Sequence, residues 1–90
     1  MTDNPLVVSC PDDTWILVAP NTQSASIHKL SVEPGVYKQT YRISGQAAPT
    51  DDTDAIIIFE TDTLHIFSHS PGVDIYIKAI GGDGSVRLDA

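Results

Sequence analysis

Apolar residues along this chain recur at every second position, in short runs separated by turn-forming residues. The cleanest run is Val73–Ile80, where Val73, Ile75, Ile77 and Ala79 alternate with Asp74, Tyr76, Lys78 and Ile80. That period of two is the mark of a strand. Val36–Ile43 alternates as well. Tyr37, Gln39, Tyr41 and Ile43 share one face, and Val36, Lys38, Thr40 and Arg42 share the other. Ala55–Glu60 is nearly all apolar and β-branched, which suits a strand buried on both faces. No window of helical length carries a 3.6-residue apolar stripe, and β-branched side chains crowd the apolar positions, which disfavours helix.

Breakers delimit the remaining elements. Pro11-Asp12-Asp13, Pro20-Asn21, Glu33-Pro34-Gly35, Glu60-Thr61-Asp62, Ser68–Gly72 and Gly81–Gly84 all carry turn chemistry. Between them lie eight expected strand segments: 6–9, 14–19, 25–31, 36–43, 55–60, 63–67, 73–80 and 85–88. Breakers at this spacing predict an antiparallel, jelly-roll-like β-sandwich of seven or eight short strands. It would form a single domain over residues 5–90 behind a polar tail of residues 1–4. Residues 44–54 have no periodicity and form an expected loop that is long for a compact domain.

The apolar faces exceed what one small sandwich needs. Tyr76 and Ile80 stand opposite the clean face of their strand, and Ile56 and Ile58 stand opposite Ile57 and Phe59. Ninety residues do not readily bury both faces of two strands. Ile56, Ile58, Tyr76 and Ile80 are therefore the expected contacts of a homo-oligomer; barrel curvature or a covering loop is the alternative. Trp15 and one of Tyr37 and Tyr41 are expected in the core.

Charge narrows the partners. Twelve acidic residues, ten of them Asp, face five basic ones, for a formal net charge of -7. Binding phosphate backbones requires several Lys or Arg, so nucleic acid is not an expected partner. An anionic membrane surface is disfavoured for the same reason. No basic-then-apolar leader and no long apolar run is present, so synthesis in a cytoplasm is expected. The single cysteine, Cys10, forms no intrachain disulfide and reads as a partly buried thiol near a strand end.

Candidate chemistry is sparse. His28, His65 and His69 would make a metal site only if strand pairing gathered them, and no metal or other cofactor is expected. Asp51, Asp52 and Asp54 form the densest acidic cluster, and Asp12-Asp13 a second. Neither has the spacing of a helical calcium loop. Together with Gln46, the first cluster marks a loop for a ligand or partner. Asp62 or Glu60 with His65 is the nearest approach to an acid–base pair. No strained serine turn and no phosphate loop is present, so an enzyme is not expected.

Four stretches carry a family resemblance: Asp13–Ala19 (Asp-Thr-Trp-Ile-Leu-Val-Ala), Tyr41–Pro49 (Tyr-Arg-Ile-Ser-Gly-Gln-Ala-Ala-Pro), Glu60–Ile66 and Val73–Ala79. In this order the chain resembles small β-rich virion proteins of tailed bacteriophages, over roughly residues 13–88. The resemblance implies a capsid decoration, head-fibre or tail-associated component without catalytic residues, frequently trimeric. Its partner would be a phage capsid or tail protein, and its place the virion after synthesis in the host cytoplasm. A carbohydrate- or receptor-binding β module, using Trp15 near Asp12-Asp13 or Tyr37 and Tyr41 near the 44–54 loop, is the alternative.

Overall fold

A computed structural model describes residues 6–31 and 35–89. The expected tail at residues 1–4 and the Glu33-Pro34 part of the third turn lie outside the described residues. The chain forms six strands: β1 (Leu6–Cys10), β2 (Ile16–Lys29), β3 (Val36–Ile43), β4 (Ile56–Ile58), β5 (Leu64–Ile80) and β6 (Gly84–Asp89). All pair antiparallel in one sheet of order β1-β6-β2-β5-β3-β4. The class is all-β, as the alternation predicts.

Each of the eight expected segments contributes to a strand, but they are joined into six. Two expected turns, at Pro20-Asn21 and Ser68–Gly72, are bends inside the long strands β2 and β5. Between Leu17 and Ser24 the pairing of β2 with β5 slips register three times. Such bulges hold unpaired residues and sharpen bend and twist, so Pro20 sits within β2 without ending it. Asn21 takes a left-handed conformation there (φ 47°). Its N–H donates to Asp74 Oδ1 at 2.9 Å, and the Ser44 hydroxyl donates to the same oxygen at 2.9 Å. The buried Asp74 carboxylate thereby ties the bend of β2 to the end of β3. The two bends lie close together: a Cβ at Gly72 would stand 2.8 Å from the Asn21 side-chain oxygen, which would have to turn aside.

These bends fold the sheet across itself. One half comprises β1, β6, the end of β2 and the first residues of β5. The other comprises the start of β2, the rest of β5, β3 and β4. The core lies between them. Cys10, Ala25, Ile27, Phe67, Val86 and Leu88 meet Val18, Tyr37, Ile58, Phe59 and the Val73/Ile75/Ile77/Ala79 face. β3 passes beneath β6 at Tyr37, whose hydroxyl donates to the Ser31 carbonyl at 3.1 Å and lies 3.4 Å from that of Ser85. Farther along, Tyr41 meets Phe67 of β5, ring centroids 5.8 Å apart. Tyr37 is the expected core tyrosine, whereas Trp15 is only half-buried.

Two local devices complete the frame. Phe59 is left-handed (φ 61°), a conformation costing about 1–2 kcal/mol for an L-residue. It breaks the alternation, so consecutive Ile58 and Phe59 both enter the core, where Phe59 meets Tyr37 edge-on at 5.3 Å. The Pro11–Asp13 turn is lashed to the last hairpin. Asp12 Oδ1 accepts from Gly81 N (3.0 Å) and Gly82 N (3.1 Å), while Asp12 N donates to Asp83 Oδ1 (2.9 Å).

Ile27 is fully enclosed between the two halves. Ile27→Ala removes side-chain contacts and leaves a cavity. The expected loss is about 2–5 kcal/mol of unfolding free energy, measured by urea titration; a loss well under 1 kcal/mol would show that the halves do not share one packed core.

Candidate functional site

The 44–54 loop is a strap across the outer face of the sheet. Lys38 of β3 and Lys78 of β5 stand side by side in register, with Lys78 almost enclosed. Asp52 accepts from both, from Lys38 Nζ at 2.7 Å and from Lys78 Nζ at its other oxygen. Asp13 approaches Lys78 Nζ at 3.3 Å, and the Trp15 ring lies 5.0 Å from it. Trp15 Nε1 in turn donates to the Asp51 carbonyl at 3.2 Å. Two residues beyond Asp52, Asp54 accepts from Thr40 Oγ1 (3.0 Å) and Arg42 Nη1 (2.9 Å). Charge-assisted bonds of this kind are short and strong relative to neutral ones. The bonds from Lys38 and Lys78 hold the Asp52 carboxyl below its ordinary range, and the bond from Asp52 raises the Lys78 ammonium above its own.

Two expectations are corrected here. Tyr76 is 7% exposed because its face is covered by the chain's own loop, and Ile58 is 4% exposed because β4 turns it into the core. Neither offers surface to a second copy. Ile80 is half-buried beside Val36, while Ile56 remains 53% exposed. Of the loop residues, Asp52 and Asp54 are committed to internal ion pairs, and Asp51 lends its carbonyl to Trp15. Gln46 stays exposed, its N–H closing a turn onto the Ile43 carbonyl at 3.0 Å.

The exposed apolar surface lies elsewhere. Where β5 begins, it crosses above β3 and β4 and leaves a groove of about 240 Å³. Gln39 forms its floor, and Tyr41, Ile56, His65, Ile66 and Phe67 form its walls. Ile66 and Ile43 are about three-fifths exposed, and Leu64 and Ile57 about half. Alternation in 63–67 could have shown this: Leu64 and Ile66 are apolar on one face while Phe67 takes the other to the core. Both faces of that strand, not only of Val73–Ile80, carry surplus apolar surface.

The histidines do not converge. His28 approaches Asp89 at 3.7 Å, His65 meets the Phe59 ring edge-on, and His69 packs against Tyr41 and Phe67. No group of three His, Cys, Asp or Glu side chains among the described residues is placed to hold a metal. His65 faces the core side and Asp62 is exposed, with no ion pair between them among the described residues. Burial holds the His65 imidazole below its usual pKa. Cys10 is fully buried, which pushes its thiol up to about 11. Fold and site together define an all-β domain with a self-strapped outer face and an open apolar groove. No protein-family model, curated protein or solved structure matches this chain.

Two outcomes follow from these environments. Asp52, a carboxylate with a depressed pKa, contributes stability that is present above its unfolded value near ~4 and is lost as pH falls through the lower folded value. Lys78, with a raised pKa, contributes stability that is present below about 10.5 and is lost as pH rises through its folded value. Asp52→Asn should therefore lower the urea midpoint at neutral pH and flatten both the acid and alkaline flanks; an unchanged pH profile would exclude the strap as their source. Cys10 should resist iodoacetamide at pH 8 in the native protein and react in 6 M guanidinium, because the buried thiol does not ionise there. Labelling equally fast in both states would contradict its placement.

Proposed function

We propose that this chain is a non-enzymatic virion structural protein, a capsid decoration or attachment component of a tailed bacteriophage, acting by oligomeric surface adhesion. The observation that carries this reading is the number of large apolar side chains left uncovered. Ile43, Ile56, Ile57, Leu64 and Ile66 are each exposed by about half or more. Such a surface in a small domain favours adhesion to another protein surface, and a net charge of -7 keeps free copies soluble. The virion setting rests on the resemblance in the four sequence stretches, as does three as the number of copies.

The carbohydrate reading has less behind it. A sugar platform needs a free aromatic face; Trp15 is engaged by Lys78 and Asp51, Tyr37 is buried, and Tyr41 packs against Phe67 and His69.

Sedimentation equilibrium across the micromolar range should give a mass above one chain. Ile43→Lys with Ile57→Lys should weaken association at least tenfold without unfolding the chain, since both side chains are exposed and neither lines the groove. Wild-type protein should also co-sediment with empty phage capsids. A single-copy mass at high micromolar concentration, together with no capsid binding, would remove the proposal.

A further inference from the structure

The groove lies beside an unpaired strand edge. The start of β5 pairs with β2 on one side only; β3 pairs with residues 73–80 and does not reach Leu64–Ser68. The direction of the free groups follows from one bond. Lys29 N donates to the Thr63 carbonyl at 2.8 Å, so Thr63 faces β2. Main-chain groups alternate sides along a strand, so the N–H and C=O of Leu64 and Ile66 point away from β2, over the groove. Edges in natural proteins are usually blunted by Lys, Pro or a bulge. Leu64-His65-Ile66-Phe67-Ser68 contains neither Lys nor Pro, and its register with β2 is unbroken.

The groove supplies the matching side-chain site. Its walls are the Tyr41 and Phe67 rings, Ile56 and Ile66. Its floor is Gln39, 3% exposed, whose Nε2 donates to the Thr40 carbonyl at 3.1 Å and whose carboxamide oxygen accepts no hydrogen bond among the described residues. Carboxylates stand around it. Asp54 lines it but is held by Arg42 and Thr40, whereas Glu60 and Asp62 sit exposed in the link between Ile56 and His65, without an ion pair among the described residues. A free edge next to an apolar pocket is the arrangement by which a sheet accepts an extended peptide: main-chain bonds hold the strand and alternate side chains enter the pocket.

We infer that this groove takes an extended segment of a partner protein, which adds as a strand to the Leu64–Ser68 edge. One large apolar side chain enters between Tyr41, Ile56 and Phe67, and basic residues flank it to meet Glu60 and Asp62. The inference rests on the adhesion reading and names how the particle would be gripped. The pocket accepts one side chain of Phe or Leu size. The free backbone selects an extended main chain, and the acidic rim selects against acidic flanks.

The test titrates a blocked peptide, Lys-Thr-Val-Phe-Val-Thr-Lys, into dilute isotope-labelled protein. Saturable shifts are expected at the amides of Leu64–Ser68 and at Gln39, with slowed hydrogen exchange at Leu64 and Ile66. Affinity should fall at least tenfold when the central Phe becomes Ala, when the Lys residues become Glu, when the peptide backbone is N-methylated, and in the Ile56→Lys variant. Absence of shifts at these amides up to millimolar peptide overturns the inference, as does equal binding of the N-methylated peptide. Wild-type protein that still self-associates and binds capsids would then keep the adhesion reading while losing the groove. Dissociation of the oligomer by the peptide would assign the groove to a second copy and overturn the partner assigned here.

Discussion

The exposed surface of this protein depends on how Lys78 is neutralised. An ammonium on the outer face of a central strand is tolerable in water, but Lys78 is almost enclosed. A charge in that position requires a partner. Asp52 supplies it, and because Asp52 also binds Lys38 it fixes the strap over two strands at once. Trp15 closes the site from the other side, its ring against Lys78 and its N–H on the strap. A residue before β2, one residue on each of β3 and β5, and the strap are thus held by one charged cluster. Removing the Asp52 charge would leave the nearly enclosed Lys78 ammonium with Asp13, at 3.3 Å and largely exposed, as its remaining counter-ion.

Closing that face decides what remains open. Tyr76 is sealed under the strap, so β5 keeps its second apolar face within the molecule. At the other end of the same strand nothing comparable happens. The strap is already committed to β3 and to the later residues of β5, and the link from β4 to β5 is only five residues long. Leu64 and Ile66 are consequently left at an uncovered edge. The acidic charge divides along the same line. Asp52 and Asp54 are used internally, while Glu60 and Asp62 project into solvent beside the groove. A short chain has enough loop to cover one apolar face and leaves the other exposed.

The extent to which this was legible in the sequence follows from the range of each interaction. Strand locations are local, set by alternation and β-branching, and the core of each expected segment is strand. Strand ends were less legible, because Pro20 and Pro71 resemble terminators but stand inside β2 and β5. Bulges absorb Pro20 in β2, and bulging is a property of the paired strands that single-strand periodicity does not contain. Alternation alone puts Ile58 opposite Phe59 and so at an interface, but the left-handed Phe59 ends that alternation. Alternation likewise puts Tyr76 at an interface, because its cover comes from a loop distant in the chain. The Asp52–Lys38 and Asp52–Lys78 contacts span 14 and 26 residues, too far for a pattern scan to register. An unpaired edge is still less visible, since it depends on where β3 stops.

The buried charge and the bare edge also differ in what they ask of a partner. A strapped face has its polar groups satisfied and its apolar groups covered, so another protein would gain little by displacing the strap. At the start of β5, main-chain donors and acceptors face water beside large apolar side chains, and a partner strand could bond the first while desolvating the second. Hydrogen bonds to water are exchanged there at small net gain, so burial of side chains must supply most of the binding free energy, with the edge fixing register and direction. Selectivity would accordingly come from the side chain that enters between Tyr41 and Phe67 and from the charge of its flanks. The edge itself would accept any extended chain.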